Sequence, residues 1–451
     1  MQVATCWSLC AYFCSVMLEI IRPTIALCGF LFLLLVDYQG LSARGHIVGG
    51  IENMDVAILL LLLLSFLIVI FQHRGYFRLS TPNNLIFMLF AAVWVFSLLR
   101  GIPLHGFTAF GEARWYLSSI LIFSTAVLMN DLKAFKLILG FLFLLSVAMM
   151  VPIYFRLLGI DILPSYGAIQ ENATTGEVVK LAWHKETYVV MLGALLTLVS
   201  LIMGRRLPYR RVVTGIMILQ LFVVVFAGVR TMYIILLADI LFLMLIFPGK
   251  KLRRIFTFLL LTVLVGVMFM FFIPDAFKSP VLNAINMVMV HDYESSTAGW
   301  RLLHWAYTIN EVFSAGTLTL LFGFPMGTDT IFLDGSGLVR TEGPHNDFVQ
   351  LFHTTGLIGL GLFLWFLADF FRKALRFIRE NARTEYGFLM AFITIVIFSQ
   401  IIFSFFNTEI RHYGTGLLFW VFIGMGWKLR HLRQNTIKRS LDEHYWNTHR
   451  A

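Results

Sequence analysis

At 451 residues the chain is 59% hydrophobic and only 13% charged, with a mean hydropathy of +0.82. Soluble domains carry roughly 25% charged residues, so this composition excludes a soluble globular fold and indicates a polytopic membrane protein. The formal charge of +10 does not imply a nucleic-acid partner, because the basic residues follow the connectors between apolar runs; no nucleic acid is expected.

Taken in order, residues 3–36 are apolar but interrupted by Glu19, Arg22 and Pro23. At about 1.5 Å per residue they exceed one ~30 Å hydrocarbon core, so they read as one span with a lead-in helix or as a hairpin. Cys6, Cys10, Cys14 and Cys28 all lie in this region and read as membrane-embedded small side chains, with no disulfide framework. No basic region precedes Arg22, so a cleaved signal peptide is not expected. Further spans are predicted at 55–71, 83–99, 115–129, 134–155, 187–203, 212–228, 231–247, 255–273, 346–370, 386–406 and 414–427. With one crossing in 3–36 the total is about twelve, an all-α polytopic integral membrane protein. The expected divisions are a bundle of about nine spans (1–273), a long, partly helical outer loop (274–345) before the tenth span, C-terminal membrane helices (346–427) and a basic tail (428–451).

Alternate connectors carry Arg74 and Arg78; Lys133 and Lys136; Arg205, Arg206, Arg210 and Arg211; Lys250, Lys251, Arg253 and Arg254; Arg372 to Arg383; and the tail after Lys428. They hold most of the 35 Lys and Arg. By the bias of basic residues toward the cytoplasm they mark the inner face and place both termini inside.

The basic residues left on the outer side are Arg44, Arg100, Arg114, Arg156, Lys180, Lys185, Arg230, Lys278, Arg301, Arg340 and Arg411. Arg100, Arg114 and Arg411 fit snorkelling at helix ends as well as they fit a site. Arg230 differs. It sits in FAGVRTMYIILL, a turn of almost no length between two apolar spans, where a charge must meet headgroups, water or an anionic partner. Only the connectors 157–186 and 274–345 leave room for a binding surface. The first ends in a modest basic cluster, Lys180, His184 and Lys185. In the second, WRLLHWAYTINEVF has helical spacing over about 300–313, with Arg301, His304, Trp305 and Thr308 on one side. It is expected to lie along the interface, with Trp300, Trp305 and Tyr307 as belt aromatics.

Glu342-Gly-Pro-His-Asn-Asp347 immediately precedes a strongly helical apolar run. Pro344 cannot sit inside a helix, so the helix begins near His345 or Asn346, with Asn346 or Asp347 available as cap. The positive end of the helix dipole and the nearby arginines disfavour the imidazolium form of His345, which suits a general base. His353, about 12 Å deeper along the axis, reads as a buried polar group. Gly356, Gly359 and Gly361 are expected to allow close helix packing. No Walker A, GxSxG, HExxH or CxxC motif stands in a suitable context.

Together, Arg301-Leu-Leu-His-Trp305, Gly323-Phe-Pro-Met-Gly327, His345-Asn-Asp-Phe-Val-Gln350 and Thr355-Gly-Leu-Ile-Gly359 resemble the O-antigen ligase and polymerase superfamily. His304 departs from the apolar residue expected before the tryptophan. The resemblance implies a metal-independent, cofactor-free glycosyltransferase on the periplasmic side of a bacterial inner membrane. Its donor would be an undecaprenyl-diphosphate-linked glycan, and its acceptor lipid A–core or a second lipid-linked glycan. In that scheme Arg230 and Arg301 bind the diphosphate, His345 deprotonates or orients the acceptor hydroxyl, and Lys180, Lys185, His304 and Asn346 are secondary candidates. Ligase and polymerase share motif and donor, so both readings stand. A transporter or flippase is the remote alternative: the spans show almost no mid-membrane charge and no two-fold repeat. A glycosyltransferase with an acidic base in the first outer loop, at Asp37, Glu52 or Asp55, lacks a paired-acid motif.

Overall fold

The computed structural model describes residues 46–48, 51–52, 82–129, 131–157, 160, 170–171, 178–180, 184–205, 209–227, 229–247, 256–257, 297–329, 332–333, 339–340, 343–407 and 415–449. The expected spans at 3–36 and 55–71 lie outside these residues, as does all of 255–273 except 256 and 257. The four cysteines, Glu342 and Arg411 lie outside them too.

The architecture is all-α. In chain order the helices are α1 (Pro82–His105), α2 (Phe107–Leu117), α3 (Leu121–Leu128), α4 (Leu132–Leu157), α5 (His184–Ile202), α6 (Arg210–Phe226), α7 (Arg230–Ile246), α8 (Thr297–Ser314), α9 (Thr317–Phe322), α10 (Asp347–Glu380), α11 (Glu385–Phe406) and α12 (Thr415–His449). Among the described residues the strands are three short antiparallel ribbons, His46–Val48 with Ile51–Glu52, Gln170–Glu171 with Val178–Lys180, and Phe332–Leu333 with Val339–Arg340. Among the described residues four helices are long and apolar enough to cross a membrane, Leu85–His105, Leu132–Arg156, Asp347–Glu380 and Glu385–Phe406; Glu186–Ile202 and Thr231–Ile246 are shorter apolar helices.

The core is one cluster running through the bundle. Helix α5 is its axis, buried at every position from Glu186 to Ser200 and packed by α4, α6 and α11. A helix apolar all round belongs in such a place. Its first turn holds Glu186, which pairs with Arg156 at the end of α4 at 3.9 Å, both buried. Farther along the seam Gln220 donates to the Ser146 hydroxyl at 2.8 Å.

Three elements depart from expectation. The run 115–129 is not one span: α2 begins at Phe107 and is separated from α3 by a 3-10 turn at Ser118–Ile120. Short 3-10 turns of this kind are common connectors between helices. The last span continues without interruption through the basic residues to His449, since Lys, Arg, Gln and Glu are good helix formers. The third departure is in α10. Gly356 has φ 64 and ψ −165, so α10 is two legs joined at a break. Gly356 lies against the backbone of Leu321 and Gly323, and Gly323 (φ 75) lies against the backbone of His353 to Thr355. A Cβ on Gly356 would fall 2.4 Å from the Leu321 carbonyl. The glycine run is therefore not a uniform packing stripe, for a Cβ on Gly361 would meet nothing within 4 Å.

Gly356→Ala is expected to cost at least about 2 kcal/mol, through strain at positive φ plus the backbone clash. Gly361→Ala should leave thermal unfolding in detergent unchanged. Equal melting behaviour of the two variants would show that the break is not held by this contact.

Candidate functional site

The break in α10 receives the loop after α9. A break of this kind leaves the last carbonyls of the first leg without helical donors, and the His353 carbonyl accepts from the Phe324 amide at 2.7 Å. The Phe324 ring stacks on the buried His353 imidazole, centroids 4.8 Å apart. On its other side the loop lies along α1. Ser97 donates to the Phe324 carbonyl at 3.0 Å and its own carbonyl accepts from Met326 N–H. Arg100 donates to the Gly323 carbonyl at 2.9 Å with its guanidinium over the Phe96 ring. Arg100 is therefore a latch on this loop rather than a snorkelling end residue. Thr328 and His105 share a 3.1 Å hydrogen bond.

One acid missed by the sequence reading completes the arrangement. Glu112 on α2 accepts from Gly327 N–H at 2.7 Å through one carboxylate oxygen and from Gln350 Nε2 at 2.9 Å through the other. Next to it the Tyr116 and Thr354 hydroxyls are 2.6 Å apart. Glu112 stands in GFTAFGEARWYL, which carries no motif, so only its position in space singles it out.

The first leg of α10 starts where the sequence indicates. Asn346 is the N-cap, and its side chain accepts from Phe348 N–H and Val349 N–H at 2.9 and 3.1 Å. This capping duty occupies Asn346, which is buried. His345 lies one residue ahead of the cap and adopts φ 49, a left-handed conformation that costs a non-glycine residue about 1 kcal/mol. It is half-buried, between buried Pro344 and Asn346.

Helix α8 holds this turn. Trp305 donates its indole N–H to the Pro344 carbonyl at 2.6 Å, so it clamps this turn. One turn earlier, Arg301 donates to the Phe406 carbonyl at the end of α11 at 2.6 Å. Phe405 in turn stacks on Phe348, centroids 4.4 Å apart. Arg301 and His345 thus flank a single contact between α8, α10 and α11. The helix presents its polar side inward: His304 and Thr308 are wholly buried, while Leu302, Leu303 and Phe313 are each more than half exposed. That is the reverse of a water-facing helix. Burial pulls the Arg301 guanidinium below the usual arginine value, and among the described residues no carboxylate pairs with it.

The remaining sequence candidates divide. Arg230 opens α7, whose Asp239 accepts from Ser399 at 2.6 Å and whose Phe242 stacks on Phe398. Later residues of α7 thus meet earlier residues of α11, an antiparallel pair that puts Arg230 at the end where α11 terminates at Phe406. Lys185 stands in the first turn of α5, one turn before Tyr188, which packs on Phe403 at that same end. His304 is also there but enclosed. Lys180 lies in the ribbon with Gln170, and no described contact ties it to the others. Asp239 is wholly buried in α7.

The fold and site define a multi-pass α-helical membrane protein whose candidate residues Arg230, Arg301 and His345 stand at one end of the bundle. Residues 215–364 match the family model described as O-antigen ligase, which supports the O-antigen ligase and polymerase superfamily that the motifs resemble. No curated protein matches the chain. The match supports a ligase- or polymerase-type glycosyltransferase function in general, and the family implies lipid-linked glycan substrates and a membrane setting.

Trp305→Phe keeps an aromatic ring and deletes the donor to Pro344. Losing one buried bond of about 1 kcal/mol should raise local opening about fivefold. Hydrogen exchange by mass spectrometry is expected to show that increase in residues 345–352 and no change in α5; unaltered exchange at 345–352 would mean the clamp does not hold the turn.

Proposed function

We propose that the protein transfers a glycan from an undecaprenyl-diphosphate carrier to an acceptor hydroxyl on the periplasmic face of a bacterial inner membrane. The reading includes about twelve spans, a periplasmic loop over 274–345 and cytoplasmic termini. Its main support is Arg301, a desolvated cation without a carboxylate partner among the described residues, held one helical turn from the Trp305 clamp on the His345 turn.

The chemistry asked of these residues is modest. The acceptor oxygen attacks the anomeric carbon as the bond to the diphosphate breaks, and the hydroxyl proton passes to His345. Negative charge develops on the leaving diphosphate. Fixed guanidinium groups stabilise it in a low-dielectric setting, where such donors are worth far more than in water. Arg301 has spent one of five N–H donors on Phe406 and keeps the rest for an anion. Arg230, opening α7 at the same end, supplies the second cation, and Lys185 assists. Arginine suits this role because its planar fork grips phosphate oxygens in pairs.

The acceptor distinguishes two outcomes, lipid A–core for a ligase and a second lipid-linked glycan for a polymerase. A deletion strain that accumulates unattached long lipid-linked chains identifies a ligase; one that accumulates single repeats identifies a polymerase. In membranes, His345→Ala and Arg301→Ala are each expected to reduce transfer at least about 100-fold, with Arg301→Lys retaining a small part of it. Full transfer by either alanine variant would refute the assignment.

A further inference from the structure

We propose that Glu112 is a positioning residue for the His345 turn, acting through Gln350; the inference rests on the transferase reading above. The carboxylate is the one described group that holds both the loop and the first turn of α10 through side-chain bonds of its own. One oxygen takes the Gly327 amide at 2.7 Å and the other takes Gln350 Nε2 at 2.9 Å. Gln350 in turn stands directly on the cap, its backbone amide donating to the Asn346 carbonyl at 3.0 Å. The order from α2 to the histidine is therefore Glu112, Gln350, Asn346, His345.

A carboxylate only accepts hydrogen bonds, and this decides which way the Gln350 amide faces. Its NH2 must point at Glu112, and its carbonyl oxygen then faces away, buried and without a partner. A neutral amide at position 112 lets the Gln350 amide turn over, which puts its NH2 in the buried place without an acceptor and strains the turn carrying a histidine already held at positive φ. Reaction rates are sensitive to such shifts, since a misplacement of about 1 Å costs on the order of 100-fold. Arg301 is anchored elsewhere, on Phe406 of α11, so the diphosphate side should not feel the change.

The geometry also supplies its own rescue. In Glu112→Gln, the introduced amide accepts from Gly327 and its NH2 forces the Gln350 amide to turn over, leaving the Gln350 NH2 buried without an acceptor. In Gln350→Glu, two carboxylates face each other. When the two substitutions are combined, the amide at position 112 accepts from Gly327 and donates to the carboxylate at position 350. Both bonds are restored with the same net charge.

The test uses the full chain in membranes or nanodiscs with a lipid-diphosphate-linked glycan donor. Each single variant is expected to lower kcat about tenfold with donor KM unchanged within about twofold, and the double variant to return kcat to within about threefold of the parent. Wild-type kcat in Glu112→Gln would overturn the inference. So would a kcat loss that comes with an equal change in donor KM, or that the double variant does not repair. If Glu112→Gln fails to fold, the comparison of Gln350→Glu with the double variant decides in the same way. A parent protein inactive with this donor refutes the transferase reading itself. An active parent that loses transfer in His345→Ala but not in Glu112→Gln refutes the positioning role alone.

Discussion

The hydrogen bond from the Phe324 amide to the His353 carbonyl, 2.7 Å long, holds together parts of the chain that would otherwise drift apart. It can form only because α10 breaks at Gly356 and because Gly323 lets the incoming loop approach that break backbone to backbone. Once the loop is seated, its other contacts follow from proximity. Ser97 and Arg100 reach it from α1, and Glu112 from α2. The short first leg of α10, with its cap and the His345 turn, is then braced on two sides while the long second leg packs one face on the core. A straight helix of 34 residues would span about 51 Å and could not offer both a membrane crossing and a separately aimed N-terminus.

The second organising constraint is the inverted helix α8. A guanidinium, an imidazole and a hydroxyl face the protein, and leucines and phenylalanine face out. Taking such polar groups from water is unfavourable unless they find partners. Several do so on backbone carbonyls: Arg301 on Phe406, Trp305 on Pro344, and the Thr308 hydroxyl on its own helix at His304. Carbonyls satisfy geometry without neutralising charge. Arg301 is consequently left as a cation in a desolvated place, which is the electrostatic condition an anionic leaving group would relieve.

Much of this was legible in the residue order. Pro344 before an apolar run announced a helix start, and Asn346 is the cap; Trp305 follows Arg301 at helical spacing and shares its inward face. The short connection at Arg230 was also readable, since two apolar runs abut there, although Arg230 is the first residue of α7 rather than part of the turn. Other features were not. Gly356 looked like packing surface because a glycine in an apolar run gives no sign of its φ. Arg100 looked like a helix-end snorkel because its partner, the Gly323 carbonyl, is 223 positions away. Nothing in the sequence around Trp305 showed that its indole clamps the Pro344 carbonyl, 39 positions away.

By itself the sequence determined the class of solvent, the all-helical architecture and the four local motifs, because hydropathy, helix periodicity and capping are short-range properties of neighbouring residues. Only the tertiary structure decided that the glycine loop fills the break in α10, that Glu112 joins the loop to Gln350, and that Arg301 is turned inward at the His345 turn. Those contacts join residues as much as 238 positions apart. Their energies depend on burial and mutual approach, and neither is a property of any segment read alone.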